Sequence, residues 1–161
     1  MADPSNKPVG DARFHDADGV PLRLWATDAE DLQVVSALVQ DAVLSASEMR
    51  WQKGGRRFAM LLNRFRWEHG ARQPERVQTV LTANDVRAVR GQGVVPGDAD
   101  TVLSVLMVDW VPGEDADGTL RLTFAGDGLI EVTCDCLDLT LGDVTRPYAA
   151  PSGKAPTHPD A

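Results

Sequence analysis

The amino-acid sequence predicts an α+β domain: a curved antiparallel sheet or half-barrel of about six to seven strands, with one amphipathic helix near the N-terminus. Three observations carry that expectation. Runs of alternating apolar and polar residues recur along the chain, bounded by Gly, Pro, Asn or Asp. A single stripe (Leu32, Val35, Leu38, Val39, Ala42 and Val43) repeats at helical spacing. No other segment offers that helix a helical partner, so it must cover a sheet.

Residues 1–21 are rich in Asp, Gly, Pro and Ala without periodicity and read as a tail. A single domain follows over 22–146, and the Pro-rich, polar stretch 147–161 reads as a second tail. Leu22 to Ala26 alternates as a short first strand. Thr27-Asp28-Ala29-Glu30 has the form of a capping box with Thr27 as cap, which places a helix over about 28–44. Asp28, Glu30 and Asp31 suit the positive end of its dipole.

Glu48 to Gln52 reads as a strand, turned by Lys53-Gly54-Gly55-Arg56 into the long run Arg56 to Trp67. Both faces of that run are apolar, with Phe58, Met60 and Leu62 on one side and Ala59, Leu61 and Phe65 on the other. It is therefore expected at the centre, covered on each side. Val77 to Leu81 returns, breaks at Ala83-Asn84-Asp85 and resumes as far as Arg90. Thr101 to Val111 is a second long strand, with Val102, Leu106, Val108 and Trp110 on one face and Leu103, Val105 and Met107 on the other. Thr119 to Phe124 and Leu129 to Cys136 alternate cleanly between turns at Asp117-Gly118 and Gly126-Asp127-Gly128, implying an antiparallel meander. Leu137, Leu139 and Leu141 either extend that last strand or enter a short helix. A pleckstrin-homology-like barrel is the rival architecture, but its C-terminal helix has no counterpart in this pattern.

The chain has 161 residues and 43% hydrophobic content, enough for one domain with a proper core. The first residues lack the charged start and apolar core of a secretory signal, and no run of apolar residues is long enough to span a bilayer. A cytoplasmic protein without membrane contact is the expectation. Net charge is −8, which opposes bulk affinity for nucleic acid. The charge is segregated, however. Arg50 to Arg76 holds eight of the sixteen basic residues, whereas Asp98 to Asp143 holds eleven acids and one base, Arg121. Cys134 and Cys136, two residues apart on a strand, would form a strained bridge and read as reduced thiols.

Four segments together resemble a known family: LRLWATDAEDLQVVSALVQDAV, RRFAMLLNRFRWE, VLSVLMVDWVPGE and a closing TCDCLDL. That family consists of small alphaproteobacterial proteins filed as a domain of unknown function. The resemblance spans roughly residues 22 to 148. It implies a single domain and supplies no activity and no functional residues.

Candidate sites come from residue chemistry alone. Arg50, Lys53, Arg56, Arg57, Arg64 and Arg66 form a possible anion-binding edge, since the guanidinium fork matches phosphate and carboxylate. Trp67, with Phe65, interleaves with the arginines as a single-stranded nucleic-acid platform would. The competing reading pairs these arginines with acidic outer faces such as Glu131 and Asp135. Asp109, an acid within an apolar strand, is the one candidate for an unrecognised Asp/Arg enzyme site. No metal is expected, because His15, His69 and His158 lack partners at ligand spacing and GEDADG lacks most calcium-loop positions. No cofactor is expected either: there is no nucleophile elbow, and GQGVVPG lacks the phosphate-loop Lys. Four Trp beside one Tyr suggest core, or hot spots where exposed. The favoured expectation is a non-enzymatic adaptor that meets a protein partner, or a second copy of itself, through the sheet surface or its Arg-rich edge. Nucleic-acid binding is the alternative.

Overall fold

A computed structural model describes residues 21–66, 75–94, 97–145 and 148–149. In chain order the elements are β1 (Arg23–Ala26), α1 (Ala29–Val39), β2 (Val43–Ser45), a 3-10 turn (Ala46–Glu48), β3 (Met49–Gln52), β4 (Arg57–Phe65), β5 (Glu75–Ala83), β6 (Val86–Gln92), β7 (Val102–Pro112), β8 (Gly118–Phe124), β9 (Leu129–Cys134), β10 (Leu139–Asp143) and β11 (Tyr148–Ala149). Every strand pair is antiparallel. The main path runs β1-β10-β5-β4-β2-β7-β8-β9-β6, with β3 on β4 and β11 on β5.

The sheet is thus larger than expected, eleven strands among the described residues, and it is open. It does not form the pleckstrin-homology-like barrel, and its one helix among the described residues lies near the N-terminus. Two short strands account for part of the excess. β2 arises where the helix was expected to continue: Asp41 takes a left-handed φ of 65°, the Ala42 amide bonds back to Val39, and Val43 enters the sheet. β10 is neither an extension of β9 nor a helix. Asp135 to Asp138 break the run, and Leu139 to Asp143 cross to pair with β1 and β5.

The helix cap is Asp28 rather than Thr27, accepting from the Asp31 amide at 2.8 Å. The shift of one residue agrees with the stronger capping preference of Asp over Thr. Leu32, Val35 and Val39 form the buried stripe, and α1 packs on β7, β1 and β4. The hairpin after β3 uses all of Lys53 to Arg56, with Arg56 at φ 52°.

β7 departs from simple alternation. A bulge between Val105 and Met107 leaves Leu106 and Met107 both exposed and returns Val108 to the core, so the expected faces hold only before it. The helix stabilises this strand edge. Ser36 Oγ accepts from the Val108 amide at 2.9 Å, and the Asp41 amide donates to the Val105 carbonyl at 2.8 Å. One continuous core joins α1 to both halves of the sheet.

Candidate functional site

The Arg-rich stretch does not form one edge. Alternation along β4 sends Arg64 inward, onto the row of Phe58, Met60 and Leu62. It is fully buried and paired with Asp143 at the end of β10. Arg64 Nη2 donates to both carboxylate oxygens at 2.9 and 3.1 Å, and Nε donates to Thr79 Oγ1 at 3.0 Å. Thr79 Oγ1 donates to Asp143 Oδ1 at 2.7 Å, and the Leu22 amide donates to Oδ2 at 2.8 Å. A charge removed from water needs this degree of satisfaction, and the network ties β1, β4, β5 and β10 together. Arg66 is also buried, against Glu75 at 3.3 Å. Arg64 and Arg66 therefore lie inside the sheet instead of on the expected solvent edge. Phe65 is likewise buried, with the Arg76 guanidinium 4.0 Å over its ring. Trp67 lies outside the described residues, as do His15, His69 and His158.

Arg56 is exposed and donates to Asp135, which also accepts from Arg87. Both arginines hold the Asp135 carboxyl below the usual carboxylate range. Arg50, Lys53 and Arg57 are exposed and make no ion pair among the described residues.

Asp109 is no isolated acid. It faces Arg121 across β7 and β8, with Arg121 Nη2 donating to Oδ2 at 2.6 Å. Arg121 faces Glu131 on β9, and Glu131 accepts from Arg90 on β6 at 2.7 Å. Four strands thus carry an alternating ladder, Asp109-Arg121-Glu131-Arg90, on the solvent face of the second half of the sheet. Adjacent opposite charges satisfy one another. The Cys134 thiol is pushed up to about 12, chiefly by burial, so it is a poor nucleophile at neutral pH. No group of three or more metal-ligating side chains gathers among the described residues, and none of their helices is long and apolar enough to cross a membrane.

The solvent face of the first half differs. Cross-strand register aligns Trp25, Thr140, Thr82, Ala59 and Arg50 in one row, and Arg23, Gly142, Val80 and Leu61 in the next. Charge occurs only at the row ends, on Arg23 and Arg50. An open trough of about 540 Å³ runs over Arg23, Trp25, Val80, Thr82, Thr140 and Gly142. Trp25 is 67% exposed at its rim, held by Nε1 donating to Asp138 Oδ1 at 2.7 Å. The expectation that most Trp residues are core misses this one, while Trp51 and Trp110 are partly buried and pack against the core. The missed signal was parity: Trp25 alternates with the more buried Leu24 and Ala26. Asp143 also had a readable signal, since it shares parity with Leu137, Leu139 and Leu141.

Fold and surface define, among the described residues, a mostly antiparallel, open-sheet domain with one helix and, on one face, a trough bordered by Arg23 and Trp25. The chain belongs to the family described as Protein of unknown function (DUF2948), whose profile matches residues 22–158. No curated protein and no solved structure matches it.

Proposed function

We propose that this chain is a non-enzymatic binding or adaptor domain that docks the apolar surface of a protein partner on the outer face of β1, β10, β5 and β4. One observation carries the reading. A solvent-facing antiparallel sheet normally presents polar residues outward, yet the two rows here hold Thr, Ala, Gly, Val and Leu between Trp25, Arg23 and Arg50. An exposed aromatic beside half-buried apolar residues is what an interface core uses, with Arg at its margin. A second copy of the chain is one such partner, since the two rows hold no acidic residue and so escape the acid-acid repulsion of a molecule at −8.

The test is affinity capture from a lysate of the source cells, with and without nuclease, alongside light scattering of the purified chain. Thr82→Lys places a charge at the trough, and Thr133→Lys places one on the opposite half as control. A stoichiometric protein, or a dimer, held by wild type and Thr133→Lys but lost by Thr82→Lys is the expected result. Loss of all bound material on nuclease treatment would sink the reading and transfer interest to Arg50, Lys53 and Arg57.

A further inference from the structure

The sheet stops short of closing between β3 and β6. Among the described residues β3 pairs only with β4, and β6 only with β9. The two sides meet at one point, where the Val86 amide donates to the Arg56 carbonyl at 2.9 Å and Arg56 Nε donates to the Val86 carbonyl at 3.3 Å. Away from that junction neither strand pairs with the other. An apolar cavity of about 210 Å³ opens there, walled by Met49, Trp51, Phe58, Val89, Val94 and Ile130. Gly91 also borders it, and a Cβ built there meets nothing closer than the Val94 carbonyl at 3.7 Å.

The two edges share one sign of charge. Met49 to Arg57 contains four bases and no acid, and Val86 to Gln92 contains two bases and no acid. Asp135 and Glu131 pair with Arg56, Arg87 and Arg90. With the flanking Glu48 and Asp85 also counted, bases remain in excess, in a molecule that is strongly acidic elsewhere.

We propose that this gap binds an extended, acidic peptide segment of a partner protein. The segment adds as a strand along a free edge and seats one bulky apolar side chain in the cavity. Each part of the site selects this occupant. An unpaired strand edge presents amides and carbonyls in a row that another extended backbone satisfies. The cavity fits one large side chain, given that an engineered cavity of about 150 Å³ accepts benzene. The surplus bases favour acidic flanks and disfavour basic ones. A free aromatic molecule would fill the cavity and leave the edges and arginines unused. A nucleic-acid strand would meet the bases without offering amides to the edges. The site lies beyond the far end of the outer-face rows, shares only Arg50 with them and does not involve the trough.

The test uses the full chain and a short synthetic peptide of alternating glutamate and valine with one central phenylalanine. Its counterpart carries lysine in place of glutamate. Titration calorimetry gives affinity, and amide hydrogen exchange locates the contact. The acidic peptide should bind at least about tenfold tighter than the lysine peptide, a gap that narrows as salt is raised. It should slow exchange in β3 or β6. Gly91→Leu fills the cavity, and Arg50→Glu with Arg57→Glu reverses exposed charges that hold no ion pair in the described fold; each should weaken binding about tenfold or more. Thr82→Lys on the outer face should leave it unchanged. Equal binding of both peptides, exchange unchanged at both strands, or saturation by indole with no peptide binding would each overturn the proposal.

Discussion

The two halves of the sheet distribute charge in opposite ways. The half built from β7, β8, β9 and β6 keeps Leu120, Leu122, Phe124, Ile130 and Val132 inside and sets the Asp109-Arg121-Glu131-Arg90 ladder outside. The half built from β1, β10, β5 and β4 encloses the Arg64-Asp143 pair and leaves Leu61, Val80, Thr82 and Trp25 toward solvent. The first arrangement pairs its outer charges across strands, although β7 also exposes Val102, Leu106, Met107 and Val111. The second carries a desolvation cost inside and leaves its two outer rows without charge except at Arg23 and Arg50. The comparison teaches that the half built from β1, β10, β5 and β4 places its charge at an internal junction of strands, whereas the other half places it on the surface.

Its sharpest break lies at the buried pair. Asp143→Ala should leave Arg64 as an uncompensated buried charge and destabilise the domain by about 3–5 kcal/mol in urea unfolding. Replacing both partners, as Arg64→Met with Asp143→Leu, should recover most of that loss, because apolar residues of similar volume substitute well for buried pairs. If the single and double variants are equally unstable, the network has a role beyond charge compensation.

A smaller effect is expected in the other half, where ion pairs lie open to solvent. Arg56 and Arg87 depress the Asp135 carboxyl in the folded state. A depressed folded value means stability that is present above the unfolded carboxylate range and lost as pH falls through the folded one. The stability difference between wild type and Asp135→Asn should therefore be flat near neutrality and shrink below about pH 4. Screening keeps it well under the Asp143 effect. A difference that stays constant down to low pH would show that Asp135 contributes through geometry and not through charge.

How much of this was legible beforehand depended on local pattern. The strands β3, β4, β7, β8 and β9 were readable because alternation and turn residues act within a few positions. The Arg56-Asp135 pair was foreseen among the competing readings of the basic run. The fate of Arg64 was not, because its partner lies on a strand 79 positions away and only sheet register brings them together. The bulge at Leu106 and Met107 was invisible for a similar reason: the helix at Ser36 and Asp41 supports that strand edge. The partial exposure of one face of β4 among the described residues was also unreadable. Apolar residues at both parities imply two covered faces, whereas among the described residues Ala59 and Leu61 are half-buried and only Phe65 on that face is buried.

Two tryptophans give the finest test of the comparison. Trp110 is half-buried and lies against Gly118 so closely that a Cβ there would overlap its ring. Trp25 stands largely in solvent with one side-chain hydrogen bond, to Asp138. If the outer face of the first half serves recognition, Trp25→Ala should cost no more than about 1 kcal/mol of stability, the value of one exposed hydrogen bond and little packing. Trp110→Ala should cost more than that, because it opens space in a packed contact. Partner binding should follow the reverse order, with Trp25→Ala weakening it about tenfold or more, as an interface aromatic does. Thermal and urea unfolding of the two variants, read beside capture of the partner, measure both orders at once. Equal stability losses would mean that Trp25 is held for the fold, and the asymmetry between the two faces would then no longer point to a partner.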